Sequence, residues 1–111
     1  MRIWIDDIRT PPEEDWTWVK TSQEALDLLA QVVISDVEEI SFDHDLGLNV
    51  DGGDDTSRRV AYYLCEVDSF PKQVWVHSSN PVGRDYLIGM FDRYGNGAQY
   101  RAYVNPNPSG K

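Results

Sequence analysis

Three short β-type runs in this chain each break off into side chains that carry chemistry, and that pattern restricts the fold more than any other feature. Arg2-Ile3-Trp4-Ile5 runs into Asp6-Asp7, Ile40-Ser41-Phe42 into Asp43-His44-Asp45, and Val74-Trp75-Val76 into His77-Ser78-Ser79-Asn80. The sequence has two histidines, and both stand at such ends. Strands that finish together in polar groups point to an open α/β sheet, whose ligands bind outside the carboxyl ends of the strands. If the runs are neighbouring parallel strands, both imidazoles face one crevice. With 41% hydrophobic residues, four Trp, six Tyr and three Phe, 111 residues are enough to close one core.

The segments between these runs fill in the order. Pro11-Pro12 forbids a long first helix, so the connection to a second strand at Trp16–Val19 is a loop. Thr21 with Glu24 three residues on has the form of a capping box, and Ala25, Leu26, Leu28, Leu29 and Val32 give the following helix, from about Ser22, its apolar face. A third strand spans Glu39–Phe42, followed by a Gly- and Asp-rich loop from Leu46 to Asp55. Thr56 is placed to cap a second helix carrying Val60, Leu64 and Val67, which Phe70-Pro71 closes. After a fourth strand at Gln73–Val76, Asn80-Pro81 reads as an N-cap and first helical position. Leu87, Met90, Phe91 and Tyr94 line that helix until Gly95, and a last strand runs from Ala98 to Val104.

The expected architecture is a single α/β domain over residues 1–106 with a short polar tail at 107–111. Strands alternating with helices favour a parallel sheet with right-handed crossovers. A five-stranded flavodoxin-like order, 2-1-3-4-5, with the first connecting helix reduced to a loop, ends strands one, three and four side by side. Asp6, Asp7, Asp43, His44, Asp45, His77 and Ser78 would then share one edge.

A formal net charge of −9 and the absence of a Lys/Arg-rich block argue against non-specific nucleic-acid binding. An anionic substrate would need local help from a metal ion, from helix N-termini, or from arginines such as Arg9 and Arg84. Glu13, Glu14, Asp15, Asp36, Glu38 and Glu39 read as solvated surface. The lone Cys65 lies in an apolar helical run as a buried thiol. No stretch reaches transmembrane length and the N-terminus reads as a strand, so the expectation is a cytoplasmic protein with no membrane partner.

The chemistry available at the edge follows from the residue types. Asp6, Asp7, Asp43 and Asp45 cannot lie close together fully ionised without a cation, and a divalent ion, Mg²⁺ or Mn²⁺, suits oxygen ligands and phosphate. The structural alternative is that Asp7 or Asp45 merely caps a turn. Of two facing histidines, His44 and His77, one can accept a proton while the other donates one. Either could instead ligate a transition metal, or be fixed by a neighbouring carboxylate. Strand alternation sets His44 opposite Asp43 and Asp45, which makes His77 the stronger candidate. Ser78, Ser79 and Asn80 could donate to a phosphate, although for Asn80 capping competes, and Arg9 and Arg84 could pair with one bidentately. There is no G-x-S-x-G elbow, P-loop or dinucleotide fingerprint. Gly47 to Gly52 lacks the first-position acid and closing Glu of a calcium loop.

Three blocks, Trp4-Ile5-Asp6-Asp7-Ile8-Arg9-Thr10-Pro11, Ser41-Phe42-Asp43-His44-Asp45-Leu46-Gly47 and Val76-His77-Ser78-Ser79-Asn80-Pro81-Val82-Gly83, resemble the signature blocks of the cyclic-phosphate processing receiver-like domains of bacteria and phages. The resemblance implies a receiver-type fold and a role in processing cyclic phosphates on nucleotides or RNA ends. Phosphoacceptor receivers carry an acidic pair, an Asp, a Ser or Thr, and a Lys-Pro at successive strand ends. Asp6-Asp7, Asp43 and Ser78 match the first three, but Asn105-Pro106 stands where Lys-Pro would be, and His44, Asp45 and His77 are additions. The expectation is therefore a phosphoesterase acting on a cyclic phosphate. His77, His44 and Asp43 would be its catalytic groups, beside the acidic cluster and its ion. The alternatives are a receiver phosphorylated on Asp43 and a non-catalytic protein that sequesters a cyclic nucleotide.

Overall fold

Four-residue runs rich in Ile, Val and Trp become strands in the computed structural model, which describes residues 1–104. In chain order the elements are β1 (Arg2–Ile5), β2 (Trp16–Val19), α1 (Ser22–Leu29), β3 (Glu39–Phe42), β4 (Asp45–Leu48), β5 (Asp54–Thr56), α2 (Arg58–Val67), β6 (Gln73–Val76), α3 (Pro81–Tyr94) and β7 (Gln99–Tyr100). Five strands form a parallel sheet in the order β2-β1-β3-β6-β7, the flavodoxin-like order expected. Ile5 pairs with Phe42 and Phe42 with Val76, so Asp6, Asp43 and His77 leave the sheet at one level. Backbone bonds from Asp43 N to Ile5 O (2.8 Å) and from His77 N to Phe42 O (3.0 Å) carry the ladder one residue further.

Alternation divides the sheet into two unlike faces. Ile3, Ile5, Ile40, Phe42, Val74 and Val76 point to one side and join Ala25, Leu29, Val60, Ala61, Leu64, Leu87 and Phe91 of the three helices in the core. The register sets Trp4, Trp18, Ser41 and Trp75 on the other side, with Trp16 beside Arg2. Because Pro11-Pro12 leaves β1 and β2 joined by a loop, no helix covers this face among the described residues. Each tryptophan has a polar partner instead, as a half-wet surface requires. Indole N–H groups donate from Trp4 to Arg9 O (2.8 Å), Trp16 to Glu13 (2.9 Å), Trp18 to Asp6 O (2.6 Å) and Trp75 to Glu39 (2.7 Å). Arg2, Lys20 and Arg101 lie over the rings of Trp16, Trp18 and Trp75.

Local chemistry sets the helix starts. Thr21 accepts from Glu24 N at 3.0 Å to cap α1, and Asn80 accepts from Gly83 N at 3.2 Å to cap α3 behind Pro81. The cap of α2 falls at Ser57, one residue beyond Thr56, and Asp68 in the left-handed region (φ 52°) ends that helix before Phe70-Pro71.

Two expectations are corrected. The Leu46–Asp55 loop contains an antiparallel hairpin, β4–β5, whose tip is held by Asn49 accepting from Asp51 N (3.1 Å) and Gly53 N (3.0 Å). The last strand is two residues long rather than seven, because only β6 pairs with it and the chain then turns so that Tyr103 reaches Trp4 and Arg9. The boundary at residue 106 and the Asn105-Pro106 pair lie outside the described residues. Among the described residues no helix is long and apolar enough to cross a membrane.

Candidate active site at the carboxyl edge of the sheet

The end of β1 is a tight acidic turn. Asp6 Oδ1 accepts from the amides of Ile8 (2.9 Å) and Arg9 (2.8 Å), while Oδ2 accepts from His77 Nε2 at 3.0 Å. Burial alone would push the Asp6 carboxyl up, yet the bond from His77 and the two amides hold it below the usual carboxylate range. Asp7 is pushed up by burial and by the charges of Asp6 and Asp45. Gly47, at φ +78°, allows β4 to pass close to it, since a Cβ there would lie 3.2 Å from Asp7 Oδ2.

Asp43, 8% exposed at the end of β3, is pushed up to about 7 by burial first and then by the charge of Asp6, with Asp7 adding to it and Arg9 opposing. One oxygen each from Asp6, Asp7 and Asp43 falls within 4.8 Å of the others. These hard oxygen donors, one of them raised by burial and by its acidic neighbours, could hold a divalent cation. Asp45, expected among the ligands, stands outside the group of three. Its oxygens are taken by His44 Nδ1 (2.9 Å) and Asn80 Nδ2 (3.1 Å), and although burial opposes it, these bonds hold its carboxyl below the usual range.

An open depression of about 370 Å³ is lined by Asp6, Asp7, Asp43, Asp45, Arg9 and Ser79, with Ile8 and Gly47 at its margin. Arg9 Nη2 donates to Ser79 Oγ at 2.9 Å and its guanidinium lies over Tyr103. Arg9 Nη1 is buried and has no hydrogen-bond partner among the described residues. An unpaired buried N–H costs about 1–3 kcal/mol, which an oxygen ligand would recover.

The two imidazoles do not face one crevice. His44 turns away from Asp43 and packs beneath the start of α3, where a Cβ on Gly83 would come within 2.3 Å of its Cγ. Arg58 Nε donates to its Nε2 at 2.7 Å, so the proton is on Nδ1, facing Asp45, and both nitrogens are committed. His77 stands behind Asp6 on the tryptophan face, its side chain 0% exposed, stacked on Trp4 at 3.8 Å and 5°. Burial lowers its pKa against the pull of Asp6, and Ser41 Oγ is 2.6 Å from its Nδ1. Neither ring lines the depression, so a facing pair of proton carriers is not what this edge provides.

The remaining candidates divide in the same way. Ser78 is buried and accepts from Asn80 N at 3.1 Å, so it shapes the turn; Asn80 caps α3 and steadies Asp45. Arg84 lies over the Tyr100 ring, away from the depression. Residues not singled out from the sequence include Ser41, Arg58, Gly47 and Tyr103. Ser41 alone gave a signal, as a polar residue inside an apolar strand.

Asp43 predicts a pH dependence for the divalent-free protein. Its carboxyl shifts from 3.8 to about 7 on folding, so between those values only the folded state holds the proton. Its stabilising contribution is complete below about pH 4 and is lost as pH rises to about 7. In urea titrations at successive pH values, Asp43→Asn should gain on the parent by up to about 1.4 kcal/mol per pH unit across that window. A gap that stays constant with pH would refute the shift.

A family model for the cyclic-phosphate processing receiver domain matches residues 1–93, which takes in all three acidic and histidine-bearing strand ends. No curated protein and no solved structure matches the chain. The strand order, the acidic turn after β1 and Asp43 after β3 agree with that match, and the chain belongs to the cyclic-phosphate processing receiver domain family.

Proposed function

We propose that the depression is a phosphoesterase site that opens a cyclic phosphate on a nucleotide or an RNA end. One observation carries the reading: Arg9, whose Nη1 is buried without a hydrogen-bond partner among the described residues, lines the same depression as three close carboxylates. A phosphoryl oxygen would satisfy Nη1, with Nη2 and Ser79 Oγ beside it. A divalent cation, Mg²⁺ or Mn²⁺, held by Asp6, Asp7 and Asp43, would supply positive charge against the phosphate and make bound water more acidic.

Hydrolysis joins a water oxygen to phosphorus and breaks one P–O bond of the ring. A base takes the water proton and the departing ribose oxygen gains one, leaving a phosphomonoester. Asp43 would be a ligand of that cation, whose charge would draw its carboxyl down from the value of about 7 that it has in the divalent-free protein, so the base that takes the water proton is solvent. Asp6, tied by three hydrogen bonds, keeps its charge and orientation. His77 orients Asp6 from behind, and His44 with Asn80 steadies Asp45 at the rim.

The test is hydrolysis of 2′,3′- and 3′,5′-cyclic nucleotides and of an RNA bearing a terminal cyclic phosphate, each with Mg²⁺, Mn²⁺ or chelator. Turnover to a phosphomonoester is expected, with Arg9→Met lowering kcat/KM roughly 100-fold through loss of a charge-assisted contact made in the transition state. Absence of turnover under every ion would remove the reading. Ligand held tightly but recovered intact would indicate sequestration, and a mass gain from a small phosphodonor that Asp43→Asn abolishes would indicate a signalling receiver.

A further inference from the structure

We propose that Ser41 is a positioning residue that fixes the ring orientation and tautomer of His77, and through the Nε2 proton the Asp6 oxygen that faces the depression. This rests on the reading of Asp6 as a cation ligand. Ser41 is wholly buried in the apolar run Ile40-Ser41-Phe42, on the central strand and on the tryptophan face. Its hydroxyl is 2.6 Å from His77 Nδ1, and His77 Nε2 is 3.0 Å from Asp6 Oδ2.

The directions of these bonds follow from the groups present. Ionised Asp6 only accepts, so Nε2 carries a proton and donates. A neutral ring then has a bare Nδ1, and the Ser41 hydroxyl donates to it. Trp4, parallel to the imidazole at 3.8 Å, holds the ring plane. The alternative left is the half-turn about the Cβ–Cγ bond that returns the ring to the same plane, which would set carbon against both Ser41 and Asp6. The hydroxyl on one side and the carboxylate on the other together forbid it.

Serine, histidine and aspartate are thus linked in a row, but not as in a hydrolase triad. Ser41 does not line the depression, whereas Asp6 does. The end of the row that faces the ligand is the carboxylate. With Oδ1 fixed by two amides and Oδ2 by His77, Asp6 has its one remaining lone pair, on Oδ2, in a set direction, which is what precise ligation requires.

With two histidines in the chain, nitrogen-15 spectra of the imidazoles are simple to assign, His77→Gln identifying the relevant pair. The parent protein should show a protonated Nε2 and a bare Nδ1 on His77. Ser41→Ala, with helical content checked by circular dichroism, should lose that single pattern and weaken Mn²⁺ binding about 10-fold by calorimetry, the low end for groups that orient metal ligands. Ser41→Thr, which keeps the hydroxyl, should restore both. A proton on Nδ1 in the parent, or a Ser41→Ala protein with unaltered spectrum and affinity, would overturn the proposal. If the parent binds no Mn²⁺, the reading of Asp6 as a ligand fails, and the ring spectra alone decide whether Ser41 governs His77. Should Ser41→Ala not fold, the parent and Ser41→Thr spectra decide it.

Discussion

Asp43→Asn should abolish cyclic-phosphate turnover and the stabilisation by Mn²⁺ together, while the protein stays folded. The amide occupies the same volume, so packing at the end of β3 is kept, and Asp43 N still bonds to Ile5 O. What disappears is one of three oxygens grouped within 4.8 Å and the one carboxyl placed near neutrality. Loss of a group that stabilises charge in the transition state typically costs about 10²–10³ in rate. An ion at 100 times its Kd stabilises the parent by about 2.7 kcal/mol through mass action, and the variant should show none of this in thermal melts near neutral pH. Without divalent ions the order reverses, because Asn removes a buried charge and, with it, the repulsion from Asp6 and Asp7. A variant that keeps turnover within about tenfold of the parent would mean that the site does not depend on Asp43 as a ligand.

Gly83→Ala is expected to be the most destabilising small substitution in the chain. Ala is the better helix former by about 1 kcal/mol in a helix interior, so an unhindered site would gain from the change. Here the new Cβ would lie 2.3 Å from His44 Cγ and 2.5 Å from Nδ1. The ring cannot retreat, because Asp45 and Arg58 hold its two nitrogens. Overpacking of this kind costs about 1–3 kcal/mol, and displacing His44 also frees Asp45 at the rim of the depression. Gly89→Ala on the same helix meets nothing within 4 Å and should raise stability instead. Combining Gly83→Ala with His44→Ala should recover part of the loss in denaturant titrations. If Gly83→Ala alone melts with the parent, the seat of His44 beneath α3 is wrong.

Much of the fold was legible because its determinants are local. The Thr21 and Asn80 caps, Pro81 at the first helical position and the four-residue apolar strands are read directly from neighbouring residues, and right-handed crossovers then leave few strand orders. The β4–β5 hairpin escaped because Asp54–Thr56 has no apolar residue to answer Leu46 and Leu48, and its tip is closed by an Asn49 side chain rather than by a two-residue turn motif.

The candidate site was legible in its acids and not in its histidines. Alternation separated His44 from Asp43 and Asp45; the structure turns it away from Asp43 but bonds its Nδ1 to Asp45 at 2.9 Å. The same rule sets His77 with Trp75 rather than with Val76, hence on the tryptophan face, but a strand end does not by itself reveal whether a ring points outward or lies behind its neighbour. Arg58 pairs with His44 across 14 residues, and no local pattern announces such a contact.

The helix-free face changes how this sheet can evolve. The side packed by helices carries the aliphatic core of the domain, and substitutions there are judged first by whether the chain folds. The opposite side carries Trp4, Ser41 and His77 directly behind Asp6, among rings already partnered by charged and backbone groups. Drift on that side can alter the carboxylate's setting while the core remains as it was, so one five-stranded frame can supply different reactivities from its back.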